Sequence, residues 1–337
     1  MKDKCFIIAE LSANHGGKID IAIETIKAAK RTGADAIKFQ TYLPSTMTLD
    51  SNKEDFIVKG GTIWDGRNLF ELYKEASLPW KWHKKLFEVA KKEGLVCFST
   101  PFDFTAVDFL ETLECPIYKI ASFEITDIPL IKYVASKGKP IILSTGIANY
   151  EDIKLAIETC RKEGNNDITV LKCTSSYPAP IKEANLSMIK KFTKDFNVKV
   201  GLSDHTMGSL VPVLSIAMGA KVIEKHFILN HDIGGPDASF SMDEKEFTNM
   251  VKDVRMAELA IGQESYQLTP KQLSGKRFAR SIYISKNVKK GEQLTKENIQ
   301  IVRPGLSIEP KFYNDVLGKT TNKNLYLGDR ISFDFLN

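Results

Sequence analysis

KVGLSDHTMGSLVPVLSIAMGAKVIEKHF, residues 199–227, contains two short apolar runs that end alike. Lys199–His205 closes on Ser203 and His205, and Val222–Phe227 carries Glu224 and His226 near its end. Six runs of the same kind precede them: Cys5–Ser12, Ala36–Tyr42, Val96–Phe102, Ile117–Phe123, Pro140–Gly146 and Ile168–Ser175. Short β-branched runs of this length read as strands. Amphipathic stretches lie between them, such as Asp20–Thr32, Trp80–Lys92, Asp103–Leu113, Tyr150–Glu163 and Glu244–Ile261. Several of these close on a glycine, for instance Gly33, Gly94 and Gly164, as helices do. Eight strands alternating with helices fit a (β/α)8 barrel or an open doubly wound sheet.

The polar residues separate the two. Each run gains polar side chains at its C-terminal end: Glu10; Lys38 and Gln40; Ser99 and Thr100; Ser122 and Glu124; Ser144 and Thr145; Thr174 and Ser175; Ser203 and His205; Glu224 and His226. A barrel brings all eight ends to one rim, whereas an open sheet uses only those near its switch point. The expectation is therefore an α/β chain with a (β/α)8 TIM barrel over residues 1–262. Residues 43–79 form an oversized connection after the second strand, and a loop of that length is more often functional than idle. Residues 263–275 read as a linker. Residues 276–337 read as a small module with little helix and strand-like runs at Ser281–Ile284, Ile299–Val302 and Arg330–Phe335.

Composition excludes several classes. No apolar stretch approaches the length of a membrane helix, and the N-terminal run is broken at Glu10, so it reads as a strand and not a secretory signal. A cytoplasmic protein is expected. The five cysteines (Cys5, Cys97, Cys115, Cys160, Cys173) show no zinc spacing and read as reduced thiols. Burial in apolar strands is expected to raise Cys97 and Cys173 and blunt their reactivity. The net charge of +5 is uneven: residues 275–337 carry 12 Lys+Arg against 6 Asp+Glu, leaving 35 against 36 elsewhere. Without long basic runs or interleaved aromatics, that tail suits a small anion or solubility better than nucleic acid.

His205 and His226 end neighbouring strands, which lie about 4.8 Å apart, so the two imidazoles either share one ion or hydrogen-bond structurally. With two nitrogens and open positions, Mn2+ or Mg2+ suits the pair, and Zn2+ or Co2+ binds the same donors. His15, His83 and His231 have weaker claims. Glu10 and Glu124 are candidate bases or orienters, while Glu224 reads as a salt-bridge partner for the rim lysines. Lys38 and Lys119, with Ser122, Ser144, Ser175 and Ser203, make a cationic, hydroxyl-rich patch suited to a phosphate and carboxylate dianion. The same lysines also suit a Schiff-base aldolase. Asp237, in GGPDASFS, suits a sugar hydroxyl or a turn.

The segments AELSANHGG, AIKFQTY, FSTPFD, YKIASFEITDIPLI, KPIILSTG, CTSSYPAP, VGLSDHT, IEKHF and GGPDASFS follow in the order seen in sialic acid synthases. The tail, with RFARSIY, KKGEQLT and IVRPG, resembles their C-terminal antifreeze-like (SAF) domain. The match runs nearly the full length. WDGRNLFELYKEASLPWKWH and KCTSSYPAP are most similar to the branch that condenses phosphoenolpyruvate with 2,4-diacetamido-2,4,6-trideoxy-L-altrose to form pseudaminic acid. Branches forming legionaminic acid or N-acetylneuraminate are the alternatives. The resemblance implies a divalent ion, Mn2+ first with Mg2+ or Co2+ as substitutes, on His205 and His226. It implies phosphoenolpyruvate at Lys38, Gln40, Thr100, Lys119, Ser122, Ser144, Ser175 and Ser203, with Glu10 and Glu124 as catalytic carboxylates. Tyr177 and Asp237 would face the sugar. Arg280 would reach it from the partner subunit of a homodimer with swapped SAF domains. N-acetylneuraminate synthases carry Asn at the position of Ser175, which speaks against N-acetylmannosamine as substrate.

Overall fold

A computed structural model describes residues 4–337. Eight parallel strands close into a barrel in sequence order: β1 (Phe6–Glu10), β2 (Ala36–Thr41), β3 (Val96–Pro101), β4 (Tyr118–Ile120), β5 (Ile141–Ser144), β6 (Ile168–Cys173), β7 (Lys199–Asp204) and β8 (Val222–His226). Their near-continuous apolar character follows from burial on both faces, by side chains inside and helices outside. Ile7 and Ile223 pack outward with Ile26, Phe247 and Met250 of the helix layer, and Val170 and Leu143 belong to the same cluster as Ile131, Ile157 and Ile189. Burying one such side chain contributes about 1.5–3 kcal/mol. Gly201 in β7 is required by close approach, because a Cβ there would lie 2.4 Å from the Val222 carbonyl oxygen.

Helices follow the strands in turn: Ile19–Thr32, Trp80–Glu93, Phe104–Glu111, Ile128–Ala135, Tyr150–Lys162, Ser187–Phe196, Leu210–Ala217 and Glu244–Ile261. Gly33 and Gly94 close theirs in the left-handed conformation, and Asp243 opens the last in a capping box with Glu246. Every strand ends one to three residues earlier than the sequence reading, β1, β5 and β6 by two and β2 and β3 by one. β4 stops at Ile120 because Ser122–Glu124 turns into a 3-10 helix. β7 and β8 end one residue earlier than read, at Asp204 and His226. The connection 43–79 is not structureless, since Leu69–Ala76 is a helix capped by Asn68.

The chain divides into two compact units, Met1–Gly262 and Gln263–Asn337. In the second, β9 (Ser281–Ile284) pairs antiparallel with β10 (Ile299–Val302) over a core of Ile282, Ile284, Val288, Leu294, Ile299, Val316, Leu325 and Ile331. Arg330–Phe335 does not form the expected strand: Arg330 makes one bridge to Tyr283, and Phe333–Phe335 is a 3-10 turn. The stretch read as a plain linker contains a short helix, Pro270–Gly275, opened by Thr269. Among the described residues no helix is long and apolar enough to cross a membrane.

Candidate functional site

Strand register assembles the mouth of the barrel. Glu10 at the end of β1 pairs with Lys38 of β2 on one side and His226 of β8 on the other. Gln40 pairs with Thr100 of β3, Cys173 of β6 with Ser203, and Ser203 with Glu224. One cavity is lined by Glu10, Lys38, Gln40, Thr100, Phe102, Lys119, Ala121, Ser122, Ser144, Cys173, Tyr177, Ser203, His205, Glu224 and His226. Most of the rim residues singled out from the sequence therefore converge here. Larger hollows lie between the helices Tyr150–Lys162 and Ser187–Phe196 and on the second unit, but neither gathers the paired charges of the barrel mouth.

The charges inside are buried and mutually compensated. Lys38 Nζ lies 2.5 Å from Glu10 Oε2 and donates to Thr100 Oγ1 at 3.0 Å. Lys119 Nζ lies 3.2 Å from Glu224 Oε1, which also accepts from Ser203 Oγ at 3.1 Å. Gln40 Nε2 donates to Glu10 Oε1 and Ser12 Oγ. Burial alone would raise Glu224, but Lys119 and Lys38 outweigh it and hold the carboxyl down at about 2. Burial, reinforced by the Glu224 charge, raises Glu10 against the pull of Lys38. Glu224 is thus the lysine partner expected of it, yet it stands within the cavity wall. Ser144 Oγ is buried without a hydrogen-bond partner.

Four predicted residues lie outside that wall. Glu124 sits on the 3-10 turn after β4, its Oε2 buried and unpartnered, and burial pushes its carboxyl up to about 7 against Lys119. Ser175 packs beside Ser122 at Gly146, where a Cβ would fall 2.0 Å from Ser175 Oγ and 2.8 Å from Ser122 Oγ. Asp237 is buried, accepts from Ser12 Oγ at 2.5 Å and lies 3.8 Å from His226 Nδ1. Arg280 is exposed just before β9 in the second unit.

The two rim histidines have a donor set suited to a cation. Their ring centroids are 5.3 Å apart. His205 Nδ1–H donates to the Thr174 carbonyl at 2.9 Å, which leaves Nε2 as the nitrogen to face an ion; burial lowers the ring, but the adjacent Cys173 sulfur raises it above its ordinary value, so an ion there would displace a proton. His226 Nδ1 is buried with no hydrogen-bond partner, and burial followed by the proximity of His205 holds the ring well below its usual range, in the neutral, ligating form. The other histidines are differently engaged. His83 is a buried structural residue bonded to Thr41 Oγ1 at 2.8 Å and lowered to about 4 by burial. His15 is bonded to Ala76 O and Gly17 N. His231, Asp243 and Glu246 also cluster, but they lie at the surface, where Asp243 and Glu246 cap a helix.

Sequence reasoning misjudged Cys173 and, Tyr177 apart, missed the aromatic wall. All five cysteines are free and buried as expected, and burial raises Cys97. Cys173 behaves oppositely: burial raises it, but His205, at 3.8 Å from its sulfur, together with Ser122 and Lys119, brings it down to about 7. Tyr177 packs on His205 with ring centroids 4.4 Å apart, and Phe240 packs on Tyr177 at 5.1 Å and His226 at 5.0 Å. Only the pairing of distant loops reveals this cluster.

A closed (β/α)8 barrel whose mouth pairs buried lysines and glutamates beside two histidines has the make-up of an enzyme active site. The chain belongs to the NeuB family: that family's model matches residues 25–266, and the SAF domain model matches residues 279–337. It is 50% identical to the pseudaminic acid synthase of Campylobacter jejuni serotype O:2 over 97% of this chain and 95% of the relative. It is likewise 50% identical to the pseudaminic acid synthase of Helicobacter pylori, over 97% of this chain and 96% of the relative. The crystal structure of an N-acetylneuraminic acid synthetase from Leptospira borgpetersenii, in complex with citrate, matches with a TM-score of 0.72 at 31% identity, covering 81% of this chain and 90% of that one.

Proposed function

We propose that the chain condenses phosphoenolpyruvate with 2,4-diacetamido-2,4,6-trideoxy-L-altrose to give pseudaminic acid and phosphate. The observation that carries this reading is one cavity at the barrel mouth in which Lys38, Lys119 and the hydroxyls of Ser122, Ser144 and Ser203 stand beside His205 and His226. Identity of 50% to two pseudaminic acid synthases supports the choice of sugar.

In this reading Lys38 and Lys119 hold the carboxylate and phosphate of phosphoenolpyruvate. Gln40, Thr100 and the serines, Ser175 included, complete that shell. Asp237 and Tyr177 orient the sugar on the β8 side. His205 and His226 would hold a divalent ion, Mn2+ first, which when bound polarises the sugar aldehyde as a Lewis acid. The enol carbon attacks that aldehyde, whose oxygen takes up a proton to become the new hydroxyl, and leaves a cationic centre at C2. Glu10 or Glu124 takes a proton from the water that adds there, and the tetrahedral intermediate expels phosphate by C–O cleavage. Arg280 of a partner subunit would complete the sugar site in a homodimer with swapped SAF domains.

The test is phosphate release from phosphoenolpyruvate and Mn2+ with three sugars supplied separately: the L-altrose derivative, its 2,4-diacetamido-2,4,6-trideoxy-D-manno counterpart and N-acetylmannosamine. Fastest release with the first is expected. Release only with another sugar would reassign the substrate. A Schiff-base aldolase would instead be trapped by borohydride and release no phosphate.

A further inference from the structure

The long connection after β2 contains a built feature that the reaction scheme above leaves unused. Ile57 and Asn68 bridge as an antiparallel pair, and Val58 exchanges backbone hydrogen bonds with Arg67 and Gly66. Residues 57–68 are therefore a small hairpin with GGTIWDG at its tip. Asp65 sets the turn by accepting from the backbone N–H groups of Gly61 and Thr62 and from Thr62 Oγ1, at 2.8–2.9 Å. The turn carries the half-buried Trp64 onto the two other loops that frame the barrel mouth. Its indole Nε1–H donates to the Pro236 carbonyl at 3.1 Å, next to Asp237 in the loop after β8. Its ring lies 5.5 Å from Tyr177, in the loop after β6, and 6.4 Å from Phe240.

We infer that Trp64 is a specificity-determining residue, one part of an apolar wall that favours the methyl-bearing, 6-deoxy sugar over hydroxylated analogues; this rests on the function proposed above. Three observations converge on it. Its one donor is committed to Pro236, so the indole has no hydrogen bond left to give a sugar hydroxyl. Phe240 has none, and Tyr177, whose hydroxyl is the one hydrogen-bonding group of the three not committed elsewhere, presents its ring to both rim histidines. The wall borders the His226–Asp237 side of the mouth, where the sugar is assigned. A 2,4-diacetamido-2,4,6-trideoxy hexose has a C6 methyl and a second acetamido methyl where N-acetylmannosamine has hydroxyls. Surfaces poor in hydrogen-bonding capacity favour the former, but only modestly, by about 10–100-fold.

The experiment compares the full-length wild type with Trp64→Ala, Trp64→Phe and Asp65→Ala. Each is given the 6-deoxy sugar or its 6-hydroxy analogue at saturating phosphoenolpyruvate and Mn2+, with thermal melting to confirm folding. The wild type is expected to prefer the 6-deoxy sugar by about 10–100-fold in kcat/KM. Trp64→Ala is expected to reduce that preference to a few-fold while KM for phosphoenolpyruvate stays within about two-fold. Trp64→Phe keeps most of the preference. Asp65→Ala, which leaves the indole intact and loosens only the turn, falls between them. An unchanged preference in Trp64→Ala, or an equal loss with both sugars, would overturn the inference and leave Trp64 a loop tether. Absence of turnover with either sugar in the wild type would count against the proposed function itself.

Discussion

Glu124 departs from the ordinary chemistry of its residue type. Burial raises its carboxyl from the usual 4.5 to about 7, so it changes charge near neutrality. Acting as the base for the adding water, it must be ionised, and kcat/KM should rise as pH increases through about 7. Glu124→Gln is expected to lose 10²–10⁴-fold in kcat and to flatten that limb; a limb retained in the variant would assign the titration elsewhere. The sequence made Glu124 a candidate by its place at a strand end but was silent on its desolvation, which depends on neighbours distant in the chain. Cys173 shows the opposite failure. Its apolar strand predicted a raised thiol, yet His205, ending the next strand, reverses the direction. Periodicity told correctly that residues at strand ends face one rim, but not which pairs of them touch.

At the level of elements, β7 and β8 explain why the two histidines stand together. Asp204 and Lys225 precede His205 and His226 and are register partners. Both side chains are only 1% exposed, with Lys225 Nζ 2.5 Å from Asp204 Oδ2. Lys225 also donates to the carbonyl of Thr206, while Asp204 accepts from the Thr206 N–H and Oγ1. The pair thus ties β8 to the chain just beyond His205. Removing one partner of such a pair leaves an uncompensated buried charge and costs about 3–5 kcal/mol. Lys225→Met should therefore lower Tm by roughly 6–20 °C, and adding Asp204→Leu should restore much of it. A single variant as stable as wild type would contradict the assignment. Strand alternation turns Asp204 and Lys225 away from the rim face that Ser203 and Glu224 share. Strand ends were legible to within a few residues because polar residues mark them. The hairpin 57–68 was not, since its reason for existing lies in Trp64's contacts across three loops.

For the whole molecule, the division into a barrel and a basic C-terminal module was visible in composition, with the entire positive excess in residues 275–337. The proposed role for that module is to bring Arg280 to a partner's site. Mixing Arg280→Ala with Glu10→Gln, each inactive alone, should then regain up to about a quarter of wild-type activity, because random pairing puts half the chains in heterodimers with one intact site each. No recovery in verified heterodimers would argue against swapping. The central claim, a metal-requiring condensation at the barrel mouth, is tested most directly by phosphate release from phosphoenolpyruvate in the presence of the L-altrose sugar. The enzyme is first stripped with EDTA and then titrated with Mn2+. The expected result is no release from the stripped enzyme, one phosphate per sugar consumed after Mn2+ is restored, and no restoration in His205→Ala or His226→Ala. Undiminished release after exhaustive stripping, or release without sugar, would contradict it.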